Sequence, residues 1–230
     1  MSNHEDIKIF ILSGGFGTRL KSIIKDIPKV MADINGKPFL CYQIDEIRKY
    51  FPRNDIYLLT HYLSDFIEEY FKSSENIRCI REQIPLGTGG SIKNAIKNLG
   101  LSERSQILVF NGDTYIKPDL IDFIKKTSGD VSIVTCDISN TSRFNTLEIK
   151  DNKLIKFLPK DSNKATKHIN SGCYYFRNLG CLNDTEHNVF SIEDQFQKYL
   201  KNKIINTYSY DGIFVDIGIP EDYIRCKNLI

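Results

Sequence analysis

Lys8-Ile9-Phe10-Ile11-Leu12-Ser13-Gly14-Gly15-Phe16-Gly17-Thr18-Arg19-Leu20 is the stretch on which the reading of this chain turns. A run of apolar residues with the look of a buried strand gives way to three glycines and then an arginine. Gly14, Gly15 and Gly17 can take φ > 0 and carry no side chain, so the main chain can pass close to a ligand and aim several N–H groups at one point. Phosphate oxygens suit such a nest. If Thr18 to about Lys25 continues as a helix, the positive end of its dipole reinforces the site, and Arg19 adds a forked donor. The plain alternative is a glycine-rich turn between strand and helix with no ligand. Two other glycine loops are excluded. A dinucleotide fingerprint needs a third glycine where Leu20 stands, and a Walker A loop needs a first glycine where Met31 stands, with Ser or Thr in place of Pro38.

Outward from this loop, short apolar runs alternate with helical patterns. Strands are expected at Lys8–Leu12, Asp55–Thr60, Ile77–Glu82, Gln106–Phe110 and Val131–Asp137, with helices near Phe39–Tyr50, Leu63–Phe71, Gly90–Leu99 and Pro118–Lys126. This alternation predicts an α/β fold with a mostly parallel central sheet flanked by helices, in which ligands bind beyond the carboxyl ends of the strands. After Asp137 the pattern changes. Asn145–Lys150 and Lys153–Phe157 flank Asp151-Asn152 as a hairpin, Ser171–Arg177 is a further strand, Ile192–Leu200 is helical, Ile204–Tyr208 and Ile213–Asp216 are strands, and Pro220 opens a last helix. The expectation is one domain over residues 1–230, with a part to about 140 built of alternating strands and helices and a smaller β-rich part over about 141–230 that walls one side of the site.

With 230 residues, 41% hydrophobic and 26% charged, the chain suits an ordinary globular domain. Its formal charge of +2 is too mild to point to nucleic acid or an anionic membrane surface. No leader pattern opens the sequence, and no run approaches the roughly 18 apolar residues of a membrane span, so a cytoplasmic protein is expected. Six cysteines without a C-x-x-C and four histidines without a close pair argue against zinc and for reduced, mostly core thiols. A homo-oligomer is compatible with all of this.

Four further motifs carry chemistry. Lys29 follows a stiffening Pro28, and Asn35-Gly36-Lys37-Pro38 forms a turn into the next helix, although a lysine there is equally a solvated surface charge. In Glu82-Gln83-Ile84-Pro85-Leu86-Gly87-Thr88-Gly89-Gly90, Gln83 can both donate and accept, as reading a base edge requires, and Gly87 would let a flat ring lie on the backbone. The bland reading is a flexible loop before a helix. Asp113, in Asn111-Gly112-Asp113-Thr114, and Asp216, in Phe214-Val215-Asp216-Ile217-Gly218, stand at strand ends, where carboxylates suit Mg²⁺ held jointly with substrate phosphates. An aspartate at a strand end is as often a turn former or helix cap.

The order of these motifs resembles that of the sugar-phosphate nucleotidyltransferases: G-G-x-G-T-R-L, P-K with G-K-P, L-G-T-[AG]-G, G-D, N-[AS]-G, and D-[IT]-G-x-P-E-D, here ending Asp216-Ile217-Gly218-Ile219-Pro220-Glu221-Asp222. The resemblance spans nearly the whole chain and implies a Rossmann-like nucleotidyltransferase fold. The implied reaction joins a nucleoside triphosphate to a sugar 1-phosphate and releases pyrophosphate. By the same resemblance Leu12, Gly14, Gly15, Gly17, Thr18, Arg19, Gln83, Gly87, Thr88 and Gly112 would hold the nucleotide. Lys29, Lys160, Asn170, Gly172 and Glu193 would meet the sugar phosphate, Asp113 and Asp216 would bind Mg²⁺, and Arg19, Lys29, Asp113 and Asp216 would form the catalytic set.

Pro28-Lys29-Val30-Met31-Ala32, Gly36-Lys37-Pro38-Phe39-Leu40 and Pro85-Leu86-Gly87-Thr88-Gly89-Gly90 are most similar to the branch that guanylylates a heptose 1-phosphate, implying GTP and a GDP-heptose for surface polysaccharide. Two departures fall on the sugar side. Pro159 in Phe157-Leu158-Pro159-Lys160 replaces the glutamate of F-x-E-K, and Arg143-Phe144-Asn145 stands where relatives show R-[YF]-G. Other readings are weaker. A catalytically silent relative would lose a key charge, a glycosyltransferase would hold its metal through D-x-D, and a dehydrogenase would need the third glycine.

Overall fold

A computed structural model describes residues 4–159, 166–183 and 185–230. In chain order its strands are β1 (Lys8–Leu12), β2 (Asp33–Ile34), β3 (Lys37–Pro38), β4 (Ile56–Thr60), β5 (Ile77–Arg81), β6 (Ile107–Asn111), β7 (Thr114–Tyr115), β8 (Val131–Asp137), β9 (Thr146–Lys150), β10 (Lys153–Leu158), β11 (His168–Phe176), β12 (Ile205–Tyr210) and β13 (Val215–Asp216). The α-helices are α1 (Phe39–Arg48), α2 (Ser64–Phe71), α3 (Gly87–Asn98), α4 (Leu120–Lys126), α5 (Gly180–Asn183), α6 (Ile192–Tyr199) and α7 (Pro220–Cys226). The fold is α/β, as the alternation implied.

The chain divides into two compact units. The first comprises Met1–Pro85, Phe110–Lys117 and Ile213–Ile230, and the second Leu86–Val109 and Pro118–Gly212. Both draw on residues from either side of position 140, where the sequence pattern changes.

In the first unit β4 lies between β1 and β5, all parallel, with Ile56 opposite both Ile9 and Ile77. Every residue of β4 is buried, which is why it reads as an uninterrupted apolar run rather than an alternating one. β5 carries Arg78 and Arg81 to the surface, as suits an edge that must not pair further. A second core joins three distant stretches of this unit: Leu20, Ile24, Ala32, Ile34 and Phe39 pack with Tyr115 and with Val215, Ile217, Tyr223 and Cys226. Each such side chain contributes about 1.5–3 kcal/mol when fully buried. That packing, with the antiparallel β7–β13 pair, brings Thr114 opposite Asp216.

In the second unit β8 pairs antiparallel with β11 and parallel with β12. β12 pairs with β10, β10 with β9, and β9 returns to β11 through Ile169 and Thr146, so the five strands close on one another. The hairpin turn falls at Asp151 (φ 50°) and Asn152 (φ 55°), the residue types that tolerate the left-handed region. Ser191 caps α6 by accepting from Asp194 N at 3.1 Å, Asp119 caps α4 in the same way, and Pro220 fills the first turn of α7.

Three expectations need correction. Thr18–Leu20 is a single 3₁₀ turn, not the start of a helix to Lys25. The β-branched Ile23, Ile24 and Ile27 favour helix weakly, Asp26 sits at φ 58°, and Pro28 pushes its predecessor into extended backbone. α3 begins at Gly87, three residues before the expected start, because a partner segment accepts its first amides. The strand expected over Ile213–Asp216 is confined to Val215–Asp216. No helix among the described residues is long and apolar enough to cross a membrane. All six cysteines are free, and burial pushes the thiols of Cys79 and Cys136 up to about 11 and about 12.

Candidate active site

The glycine loop follows β1 directly and is anchored at its base, where Ser13 N donates to Leu59 O at 2.8 Å. Beyond that point the loop is open. Among the described residues no group accepts a hydrogen bond from the main-chain N–H groups of residues 14–19, and the Arg19 side chain is exposed with no ion pair. A side chain on Gly15 would meet nothing within 4 Å. Gly17, at φ 58°, is needed for a different reason: a Cβ there would stand 3.0 Å from Cβ of Lys29, so its bareness lets the lysine stem lie against the loop. Gly14 is tight against His61, 3.1 Å from a built Cβ. Phe16 leans edge-on to His61 at 5.6 Å and over Tyr62 at 5.5 Å, which ties down the loop's outer arm. A pocket of about 200 Å³ opens here, lined among others by Phe16, Gly17, Lys21, Lys25, Lys29 and Tyr62.

Lys29 leads the 3₁₀ turn Lys29–Met31, and its ammonium is paired with the Asp113 carboxylate. The lysine side chain is 12% exposed and the aspartate 29%, so the pair is sheltered yet reachable from solvent. Burial pushes the Asp113 carboxyl up, but the charge and hydrogen bond of Lys29 outweigh it and hold the group below the usual carboxylate range.

Asp113 lies in the two-residue turn between β6 and β7. Gly112 N donates to Leu12 O at 3.0 Å, and a Cβ on Gly112 would sit 2.5 Å from that same oxygen. Gly112 therefore spends its amide on β1; it keeps the floor of the site low rather than donating to a ligand. On the other side Ile217 N donates to Asp113 O at 3.0 Å, and Asp216 Oδ1 accepts from Gly218 N at 2.6 Å. Asp113 thus directly precedes the Thr114 that faces Asp216 on the β7–β13 ladder, although the chain separates the two aspartates widely. Two carboxylates are the donor set that a hard divalent ion takes when substrate phosphates complete its shell, so these residues fit Mg²⁺. Among the described residues no three His, Cys, Asp or Glu side chains converge. Gln83 follows β5 and is exposed.

The second unit gathers a different set. Asn170 Nδ2 donates to the Tyr174 hydroxyl at 2.7 Å and to Glu193 Oε1 at 3.4 Å, while Gly172 N donates back to Asn170 Oδ1 at 3.0 Å. Gly172, at φ 76°, lies where the β11–β8 register slips, and that bulge turns Asn170 and Tyr174 toward one another. Burial raises the Glu193 carboxyl, with hydrogen bonds from Tyr174 and Thr88 opposing. Thr88 Oγ1 also accepts from Ile192 N at 2.9 Å. Gly87, at φ 72°, lies against Phe190 O, which a Cβ would approach to 2.6 Å. Lys160 lies outside the described residues.

Sequence reasoning overlooked Tyr174 and Gln43. Tyr174 follows Asn170 by four residues, a spacing that means nothing in a regular strand and becomes a contact only through the bulge. Gln43 sits inside an amphipathic helix, where only its 5% exposure marks it out.

A family model described as nucleotidyl transferase matches residues 8–230. The chain is similar to a D-glycero-alpha-D-manno-heptose 1-phosphate guanylyltransferase of Campylobacter jejuni, 34% identical over 221 residues that cover 94% of this chain and 97% of the relative. A protein of the same description from Aneurinibacillus thermoaerophilus is 32% identical over 229 residues, with 96% and 97% covered. Among solved structures it is similar to HddC from Yersinia pseudotuberculosis complexed with GMP-PN, with a TM-score of 0.81, 35% identity and coverage of 97% of this chain and 100% of that one.

Proposed function

Since the chain belongs to the nucleotidyl transferase family and is a sugar-phosphate nucleotidyltransferase, we propose that it converts GTP and D-glycero-α-D-manno-heptose 1-phosphate to the GDP-heptose and pyrophosphate, for surface polysaccharide. The observation that carries the chemistry is the open glycine loop, its amides unspent, beside the sheltered Lys29–Asp113 pair. Support for the substrates comes from the two relatives described as heptose 1-phosphate guanylyltransferases.

In this reading the amides of residues 14–19 and the Arg19 guanidinium bind the triphosphate, and Lys29 neutralises charge on the transferring phosphate. Asp113 and Asp216 hold Mg²⁺, which when bound offsets phosphate charge. A phosphate oxygen of the sugar 1-phosphate forms the new bond to the α-phosphorus as the bond to the β-phosphate oxygen breaks and pyrophosphate departs. The attacking oxygen is already anionic, so no general base is required; alignment and charge neutralisation supply the rate. Asn170 and Glu193 accept or donate to sugar hydroxyls, and Gln83 reads the base edge.

The test is pyrophosphate release with Mg²⁺ across GTP, UTP, dTTP, CTP and ATP, each paired with heptose, mannose, glucose and N-acetylglucosamine 1-phosphates. GTP with the heptose phosphate is expected to dominate. Another dominant pair would overturn the substrates and leave the class; no turnover with any pair would overturn the activity. Asp113→Asn is expected to lower kcat by about 10²-fold or more at unchanged fold, the scale of a lost electrostatic stabiliser.

A further inference from the structure

The carboxylate that the proposed reaction leans on stands in a turn whose two ends are bonded by another element. Asn111 and Thr114 are the ends of that turn, and their carbonyl oxygens are both taken by one side chain from α1: Gln43 Nε2 donates to Asn111 O at 2.9 Å and to Thr114 O at 2.9 Å. Gln43 is 5% exposed, and its own Oε1 is buried without a hydrogen-bond partner among the described residues. An unsatisfied buried amide oxygen costs about 1–3 kcal/mol, a cost set against the two carbonyls that the same side chain satisfies. What glutamine supplies is geometry. It bridges the two ends of the turn and leaves Gly112 N free to reach Leu12 O and Asp113 O free to accept from Ile217 N. The main chain of the turn is thereby held from three sides, and the Asp113 carboxylate meets Lys29.

We propose that Gln43 is a positioning residue for the nucleotidyl transfer: its side-chain amide clamps the Asn111–Thr114 turn and so sets where the Asp113 carboxylate stands. The inference rests on the reading of Asp113 given above, but the clamp has a readout of its own. In Gln43→Met the two carbonyls lose their donor while the side-chain volume is nearly kept. Amide hydrogen exchange at Gly112 and Ile217, the donors on either side of the turn, is expected to quicken about tenfold or more, with β4 amides unchanged. In steady-state assays kcat should fall about tenfold, the half-saturating Mg²⁺ concentration should rise, and KM for the sugar phosphate should stay within about twofold.

Gln43→Glu gives a second, chemically distinct view. Its protonated carboxyl can donate to one carbonyl only, and its ionised form to neither. Activity of this variant should lie between wild type and Gln43→Met while the carboxyl is protonated and decline as pH rises. Unchanged exchange at Gly112 and Ile217 in a folded Gln43→Met protein would overturn the clamp. Faster exchange with unchanged kcat and Mg²⁺ dependence would overturn the positioning role. Wild type inactive with every substrate pair would instead sink the reaction, while the exchange rates still judged the clamp.

Discussion

Two glycine-rich junctions in this chain look alike on paper and differ in kind. Gly14, Gly15 and Gly17 leave β1 as an open loop whose amides face no protein acceptor among the described residues. Gly87, Gly89 and Gly90 enter α3, and there the amides are spent: Gly89 N and Gly90 N donate to Phe190 O at 3.0 and 3.2 Å, and Phe190 N returns a bond to Leu86 O at 3.0 Å. The missing side chains are filled as well. A Cβ on Gly89 would run into the Phe190 ring, and one on Gly90 would run into Asn188 O. In the first set Gly15 faces open space while Gly14 and Gly17 lie against His61 and Lys29; the second set is bare so that residues 188–190 can approach. The difference shows that glycine content at a strand-to-helix junction marks a close approach without saying what approaches.

The strongest test of that contrast is Gly90→Ala. Alanine improves helix propensity by about 1 kcal/mol, but the clash is with backbone, which cannot step aside cheaply. A net loss of about 1–3 kcal/mol in chemical denaturation is expected, and a variant as stable as wild type would show that residues 188–190 are not seated as described.

At the open junction Gly15→Ala should leave stability within about 0.5 kcal/mol, because its Cβ enters empty space. Its cost should fall on the ligand: a methyl group among the amides is expected to reduce kcat/KM for the nucleoside triphosphate by about tenfold, equal to about 1.4 kcal/mol. Full activity would break the assignment of that loop to the triphosphate.

The smallest effect concerns Glu193, which Thr88 ties to the closed junction. Burial raises its carboxyl above the ordinary 4.5, so the folded state favours the protonated form. The stability this contributes is complete below pH 4.5 and is lost as pH rises through the raised value. Glu193→Gln, always neutral, should therefore be slightly more stable than wild type at neutral pH. The gap should close on acidification through that range. A gap that stays constant from about pH 4 to about pH 8 would show that the carboxyl is not strained by its burial.

Much of the architecture was legible because it is written locally. β1 and β8 coincide with the strands that their apolar runs predict, Asp151-Asn152 makes the hairpin turn, and Pro220 opens α7. Lys29 and Asp113, singled out separately, meet as an ion pair, and Asn170 and Glu193 meet as well. The helix expected after Thr18 was not found, since β-branched residues and Pro28 outweighed the pull of a glycine-capped start. Tyr174 and Gln43 were invisible because each acts through a geometry, a bulge in one case and a distant turn in the other, that no spacing in the chain encodes.

By itself, then, the sequence determined the alternation of strand and helix, the reduced core cysteines, and an ordered series of motifs sufficient for the family. These depend on residue type and on neighbours within a few positions, where propensity, capping and turn chemistry act. Only the tertiary structure decided which glycines stay open, that Asp216 faces the Thr114 next to Asp113 across the β7–β13 pair, and that α1 lends Gln43 to the turn between β6 and β7. The last two outcomes come from burying Leu20, Phe39, Tyr115, Val215 and Tyr223 in one core, and closing such long loops is set by packing free energy rather than by local preference.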